Sequence, residues 1–463
     1  MSQNLLALPS PKASSALAEY SQDPLGFMTR CAREFGEIIP LRFEGKLYCL
    51  LSNPEHITEV LKDRLFVKAE DLRILRGLLG NGLLTSEGDF WQRQRRLIQP
   101  VFHQHRINSY AAVMVSYTER LLQSWREGEV RDVHDEMMRL TLNIVMKTIF
   151  DQDVTDDEAS RVARALDEAM TWFDRQTAVE PTASELCARR INFVVQLLQH
   201  IGLKHSSTAS DSDRRYQKAI ALLDETIYAM IQHRRSSGIE SEDLLGMLMQ
   251  VQDADDGSRM SDKQLRDEVA TLMLAGHETT ANTLSWTWML LAKHPRVQTK
   301  LTAEFETVLQ GRPPTIADLP QLPYAHMVIK EAMRLYPPIT DVSREAARDC
   351  EIGGYFIPKG TTLIASQWVM HRDPRYFTEP EMFNPERWAD DLEKRLPRGV
   401  YFPFGDGPRV CIGKNFALME AVLILATIAQ RFQLELVESR AIELQPSITL
   451  RPQHGIKVVL KKA

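Results

Sequence analysis

The chain has 463 residues, 44% of them apolar and 25% charged, the ordinary mix of a globular protein; disorder, collagen-like repeats and a disulfide-stapled miniprotein are excluded. Its 56 Lys and Arg against 62 Asp and Glu leave a net charge of −6, so no global basic excess exists to hold nucleic-acid phosphates. Five widely spaced cysteines (Cys31, Cys49, Cys187, Cys350 and Cys411) include no CxxC pair, which reads as a reducing compartment without structural zinc.

The N-terminus lacks the charged start and long apolar run of a signal peptide or anchor. Residues 38–43 (IIPLRF) and 47–51 (LYCLL) flank Glu44-Gly45-Lys46, a hairpin pattern. Asn53-Pro54 then opens a helix, with Asn as cap and Pro in the first turn. From about 88 to 310 the pattern is nearly all helical, with polar breaks near 151–157, 204–213, 235–241 and 252–260. HSSTASDSD, 205–213, reads as the clearest loop. Ser261-Asp262-Lys263-Gln264 is a capping box. The helix it opens can run to His294, roughly 50 Å at 1.5 Å per residue, long enough to be a central strut. Its apolar stretch, 269–291, is interrupted by His277, Glu278 and several Thr and Ser, so a membrane span is not expected. After residue 337, prolines and short strand-like runs take over, and one more helix follows Cys411. The fold class is mainly α (α+β): one domain over 1–463, with a β-rich lobe mainly at 36–65 and 338–400 and a helical lobe mainly at 88–336 and 412–432. A cytoplasmic protein without a membrane anchor is expected, and a monomer.

Residues 404–413 read Phe404-Gly405-Asp406-Gly407-Pro408-Arg409-Val410-Cys411-Ile412-Gly413. A cysteine just before a helix N-terminus has its thiolate favoured by the dipole and by free N–H groups, and Arg409 adds positive charge. Glycines let backbone pass close to a flat ligand. These conditions suit a thiolate bound to iron. On the long helix, Ala275-Gly276-His277-Glu278-Thr279-Thr280 places a small pair before an acid and an alcohol. Thr279 can bond the Ala275 carbonyl four residues back. The space over Ala275 and Gly276 suits a diatomic ligand, and Glu278 with Thr279 suits proton relay. His277 is assigned no role. Trp91 and Arg95, four apart, put two donors on one helix face, as an ordinary amphipathic helix also can.

FxxGxRxCxG over Phe404–Gly413 resembles the heme-binding signature of the cytochromes P450. AGHETT resembles that family's oxygen-activation motif, Glu331-Ala332-Met333-Arg334 its ExxR pair, and Phe383–Trp388 its PERF element with Trp388 where Phe is commoner. The resemblance runs over essentially the whole chain. It implies heme b with Cys411 as metal ligand, and a cofactor site including Trp91, Arg95, Ala275, Gly276, Arg344, Phe404, Arg409 and Gly413. It implies Thr279 and Glu278 as catalytic residues, and a buried network of Glu331, Arg334 and Arg387; His371 is taken as structural. No flavin or ferredoxin module follows the Cys411 segment. A monooxygenase is therefore expected that uses O2, a small apolar substrate (fatty acid, terpene or similar), and a separate ferredoxin or flavodoxin with an NAD(P)H-dependent reductase. A heme-thiolate isomerase or peroxygenase and a non-catalytic heme sensor are the alternatives. The pocket is expected from residues 66–88, 172–210, 268–280, 338–342 and 448–450, with Phe66, Leu72, Leu75, Leu78, Leu79, Leu83 and Leu84 as apolar lining. Arg93 and Arg96 are expected to face solvent and meet an acidic electron donor.

Overall fold

The computed structural model describes residues 3–43, 45–151, 156–177, 210–237, 243–252, 257–437 and 441–463. Helices dominate, and the largest sheet is five-stranded. In spatial order its strands are Ile38–Phe43, Lys46–Leu51, Thr362–Ala365, Val342–Ala346 and Phe66–Lys68. The first two form the expected hairpin, with Ile38 opposite Leu51 and Phe43 opposite Lys46. The pairing of Lys46–Leu51 with Thr362–Ala365 is parallel, and the others are antiparallel. Asn53 caps the helix Pro54–Lys62 by accepting from the Glu55 N–H at 2.8 Å.

The long helix, Asp262–Lys293, spans 32 residues. Both halves of its capping box form: Gln264 N–H donates to Ser261 Oγ at 3.3 Å, and Ser261 N–H donates to Gln264 Oε1 at 2.8 Å. Its N-terminal half, Leu265 to Leu274, packs in one apolar core with Leu79, Ile98, Met146 and Ile227. Its C-terminal half, Ala281 to Leu291, packs in a second with Phe305, Val328, Leu423 and Leu460. A helix buried all round has no solvent face to stabilise with charge, so its side chains must find partners inside. Trp286 does so by donating to the Leu450 carbonyl at 3.0 Å and stacking on Tyr336 at 4.7 Å.

Two expectations are corrected. Val130–Asp132 is a strand inside the stretch read as helical. It pairs with Lys457–Lys462, so the hydrogen bonds that hold it extended come from residues more than 300 positions away. Within HSSTASDSD, the described part is no loop: Asp211–Ser237 is helical. Ser210 Oγ accepts from the Asp213 N–H at 3.1 Å, and Asp213 accepts from the Ser210 N–H at 3.1 Å. The polar cluster caps the helix, and its acids suit the positive end of the dipole. The rest of that segment, and Cys187, lie outside the described residues.

One buried network ties helix, sheet lobe and Cys411 segment together. Glu331 and Arg334 sit on the helix Pro323–Leu335 with no exposed side-chain surface. Arg334 donates Nε and Nη2 to the two Glu331 oxygens, both at 2.8 Å. Glu331 also accepts from Arg387 Nε at 3.3 Å, from the Asn384 N–H at 3.0 Å and from Trp388 Nε1 at 2.8 Å. Trp388 thus adds a donor that a phenylalanine at this position would lack. Removing one partner of a buried ion pair strands the other charge, at a cost of about 3–5 kcal/mol. Glu331→Ala should lower unfolding stability by about that amount in urea titrations. A loss under ~1 kcal/mol would contradict this account of the network.

Candidate active site

The loop ending at Cys411 is shaped by its own backbone. Gly405 N–H donates to the Phe402 carbonyl and Cys411 N–H to the Phe404 carbonyl, both at 2.9 Å. Asp406 accepts from the Gly407 N–H at 2.7 Å. Gly407 has φ of 71°, and a Cβ there would stand 2.4 Å from the Leu61 carbonyl oxygen, so only glycine fits. Behind the loop, the His371 ring accepts from the Phe402 N–H at 3.1 Å, and the His371 carbonyl accepts from Arg334 at 2.9 Å. Burial, then Arg334 and Arg372, hold His371 well below the usual imidazole range. It is neutral, as an accepting ring nitrogen requires. After Gly413 the helix Lys414–Ala429 begins. Burial raises the Cys411 thiol, while the N–H groups of Gly413 and Lys414 and the charge of Arg95 oppose that rise.

Cys411 opens into a cavity of about 1370 Å³. The long helix forms another part of its wall. Between Leu265 and Leu291 every residue is buried except Ala275, Gly276 and Thr279, and those three line the cavity. The AGHETT segment therefore lies where the helix passes from one apolar core to the other. Thr279 Oγ1 donates to the Ala275 carbonyl at 2.8 Å, as its spacing predicts. His277 points away and is buried, its Nδ1 3.0 Å from the Met273 carbonyl.

Glu278 also lines the cavity but is clamped from behind. Arg451 Nε donates to its Oε1 at 2.6 Å, and Thr449 Oγ1 is bonded to the same oxygen. Arg451 reaches on to Asp167 at 3.0 Å, whose side chain is largely exposed. Burial pushes the Glu278 carboxyl up, but Arg451, with His277 and Thr449, together hold the group below its ordinary value.

A cationic cluster occupies the cavity rim. Arg95, Arg344 and Arg409 all line it, with Trp91, Phe404 and Gly413. Arg95 Nη1 donates to the Val410 carbonyl at 3.0 Å, Arg344 Nη1 donates to the Ser343 carbonyl at 3.0 Å, and Arg409 lies 4.4 Å over the Trp91 ring and pairs with Glu87. Lys68 joins them, opposite Arg344 in the sheet and missed in the sequence. Its Nζ donates to the Leu83 and Ser86 carbonyls at 2.9 and 2.8 Å. Burial, then the Arg409 charge, lower this ammonium to about 7 despite Glu87. Arg344 as well as Arg409 crowds this buried lysine, and Arg409 Nη1 is buried with no partner. A flat dianion beside a thiol is what this set fits. The signal for Lys68 was present: in Phe66-Val67-Lys68 the strand period puts Lys68 on the face of buried Phe66.

Some expected residues are not brought here. Leu72, Leu83 and Leu84 line the cavity, but Phe66, Leu75, Leu78 and Leu79 are spent in core packing. Ile448 and Thr449 line the cavity, whereas Leu450 joins a core. Of 172–210, Phe173, Asp174 and Gln176 line it, and 178–209 lie outside the described residues. Arg93 does not point freely to solvent: it is half-buried and donates to Ser258. The loop before the long helix covers it, so only Arg96 of that pair is exposed.

A thiol before a helix thus faces a cavity with a cationic rim and a break of small residues in a buried helix. The sequence matches the family described as Cytochrome P450 over residues 14–460. It is 34% identical over 95% of its length to "Cyclooctatin synthase" of Streptomyces melanosporofaciens, covering 92% of that protein. It is 35% identical over 89% of its length to "Cyclooctat-9-en-7-ol 5-monooxygenase" of the same organism, covering 85% of it. The crystal structure of the cytochrome P450DA heme domain superposes with a TM-score of 0.87 at 28% identity, covering 98% of this chain and 97% of that one. The chain belongs to the cytochrome P450 family. It is a P450 monooxygenase with heme b as cofactor. Among the described residues, no helix is long and apolar enough to cross a membrane.

The Glu278–Arg451 clamp is testable without assigning it a catalytic role. Because the folded carboxyl sits below its ordinary 4.5, the pair stabilises the fold at neutral pH and is lost as pH falls through that lowered value. Arg451→Met should cost about 3–5 kcal/mol in urea titration at pH 7, and adding Glu278→Gln should recover a large part of it. Strictly additive losses would show that the two do not interact.

Proposed function

We propose that Cys411 is the thiolate ligand of the heme iron and that the rim residues Lys68, Arg95, Arg344 and Arg409, with Trp91, hold the two heme propionates. What carries this reading is the shared cavity: Cys411, the cationic rim and the three unburied residues of the long helix all face the same space. When bound, heme supplies the iron chemistry that splits O2, one atom entering the substrate and the other leaving as water at the expense of two electrons. Phe404 and Gly413 bracket the thiolate in sequence. Ala275 and Gly276 leave room for a diatomic ligand. The Thr279 hydroxyl, fixed on the Ala275 carbonyl, holds a proton-bearing oxygen in that room. Glu278 is the acid behind it. Arg451 itself carries no proton, since guanidinium does not deprotonate in proteins. Glu278 therefore relays protons only by loosening its pair with Arg451.

The substrate is an apolar molecule of the terpene class. The cavity exceeds the 300–1,000 Å³ usual for small-molecule sites, which leaves space for substrate beside the cofactor. The named activity of the relative that acts on cyclooctat-9-en-7-ol, an unsaturated alcohol, supports this class over a fatty acid. Electrons come from a separate ferredoxin or flavodoxin and its NAD(P)H-dependent reductase.

Cys411→His should abolish the strongly red-shifted Soret band of the reduced CO complex, while the same change at Cys31, Cys49 or Cys350 leaves that band in any variant that folds; its survival in Cys411→His sinks the assignment. Function is tested by NADPH consumption with a surrogate ferredoxin, reductase and candidate terpenes. The parent should form oxygenated product in step with NADPH, and Thr279→Ala should keep substrate binding but divert most electrons to peroxide. Product formed from peroxide alone, without any electron donor, would move the enzyme to the peroxygenase reading; unchanged coupling in Thr279→Ala would remove the threonine from the relay.

A further inference from the structure

Glu268 lies on the long helix about two turns before Ala275 and is 1% exposed. Its Oε2 accepts from the Leu83 N–H at 2.9 Å, and its Oε1 is buried without a partner. Leu83 is held at both ends of its backbone, because its carbonyl accepts from Lys68 Nζ at 2.9 Å. Lys68 gives a second N–H to the Ser86 carbonyl at 2.8 Å, which leaves one of the three donors of an ammonium. Lys68 and Leu83 both line the cavity, and Glu268 stands behind them.

The loop between these groups is folded by its own turns and by Arg76. The Thr85 and Ser86 N–H groups bond the Gly82 carbonyl at 3.0 and 2.9 Å, and Arg76 Nη2 holds the Thr85 carbonyl at 3.1 Å. Two acids of the long helix seat it. Asp267 accepts from the Asn81 N–H at 2.9 Å and is shared with Lys263 and Arg266, at 3.1 and 3.2 Å. A Cβ on Gly82 would stand 2.6 Å from the Asp267 carbonyl oxygen, so the loop lies directly on the helix. Glu268 is the acid that reaches Leu83. Among the described residues no other acceptor takes the Leu83 N–H, and stranding a buried N–H costs about 1–3 kcal/mol. Without Glu268 the backbone at Leu83 shifts to find an acceptor, and the carbonyl that holds Lys68 shifts with it.

We infer that Glu268 is a positioning residue that acts through Leu83 to hold Lys68 against the heme propionates. This rests on the reading, given above, that Lys68 takes a propionate. An ammonium fixed there stabilises heme in its site, and stabilises the reduced form more, since reduction adds an electron. Burial pushes the Glu268 carboxyl up to about 8, with the Leu83 N–H and Lys68 opposing the rise and Asp267 adding to it. At pH 7 the group is then mostly the neutral acid, which accepts through its carbonyl oxygen, and glutamine copies that acceptor.

Two measurements on the purified holoprotein at pH 7 decide this: the rate of heme transfer to apomyoglobin, and the midpoint potential from spectroelectrochemical titration. Lys68→Met should speed heme loss about tenfold, the scale of one hydrogen bond to a charged group, and lower the potential. Glu268→Leu should do the same, and Glu268→Gln should stay near the parent. Glu268→Leu combined with Lys68→Met should match Lys68→Met alone. The direction of the potential separates this route from the charge of Glu268 itself, because removing a carboxylate would raise it. Where Glu268→Leu does not form the reduced CO band, Glu268→Asp, one methylene short of the Leu83 N–H, carries the test with the same expected changes. Parent values in these variants, a raised potential, a Glu268→Gln variant as impaired as Glu268→Leu, or losses that add fully to those of Lys68→Met overturn the positioning role and leave Lys68 on the propionates. Parent values in Lys68→Met overturn the propionate reading of Lys68 and this inference with it.

Discussion

Glu331 and Arg334 face each other without any exposed side-chain surface, and the geometry around Cys411 hangs from that pair. In water two such groups gain little from meeting. Buried, neither can be left alone, so every spare lone pair and N–H must be matched. Arg334 spends its remaining donors on the carbonyls of His371, Pro380 and Met382. Glu331 draws in Asn384, Arg387 and Trp388. His371, pinned on one side by Arg334, accepts from Phe402 on the other, and Phe402 starts the turn that ends at Cys411. The thiol is positioned by a chain of obligatory partners that begins at a charge pair.

The long helix solves a different problem. A helix buried throughout normally leaves no room beside it, because interiors are close-packed. Here two separate cores hold its two halves, and the junction between them carries Ala275, Gly276 and Thr279. Space for chemistry arises at that junction without weakening either core. Polar groups at the junction are accounted for: Thr279 on the Ala275 carbonyl, His277 on that of Met273, Glu278 on Arg451.

Local chemistry was legible in the sequence. The hairpin at 38–51, the Asn53 cap, the Ser261–Gln264 capping box and the Thr279 back-bond all depend on residues within a few positions of each other. The Cys411 loop was legible for the same reason: its glycines, Arg409 and the following helix are contiguous. Long-range partners were not. Lys68 joins the rim through sheet pairing with residue 344, and Arg451 reaches Glu278 from a strand 173 positions later. Val130–Asp132 is extended only because the last strand of the chain lies beside it. Arg93 looked like a surface residue because the loop that covers it, at Ser258, has no helical register with it. In each case the deciding contact was tertiary, which no local period encodes.

The wall of the cavity is gathered from Lys68, Trp91, Thr279, Arg344, Cys411 and Ser447. Chains emerge from the ribosome N-terminus first, at about 5–20 residues per second. Lys68 and Arg95 are therefore synthesised on the order of tens of seconds before Cys411 and the Ser447 turn exist. During that interval the early cations have no site to belong to, and the Val130–Asp132 strand has no partner. The cavity wall is complete only once the turn at Ser447 has been made. A heme that binds the assembled pocket more tightly than the unfolded chain pulls the folding equilibrium toward the assembled form by mass action. Cofactor supply in the producing cell thus becomes a determinant of how much of this protein survives its own synthesis.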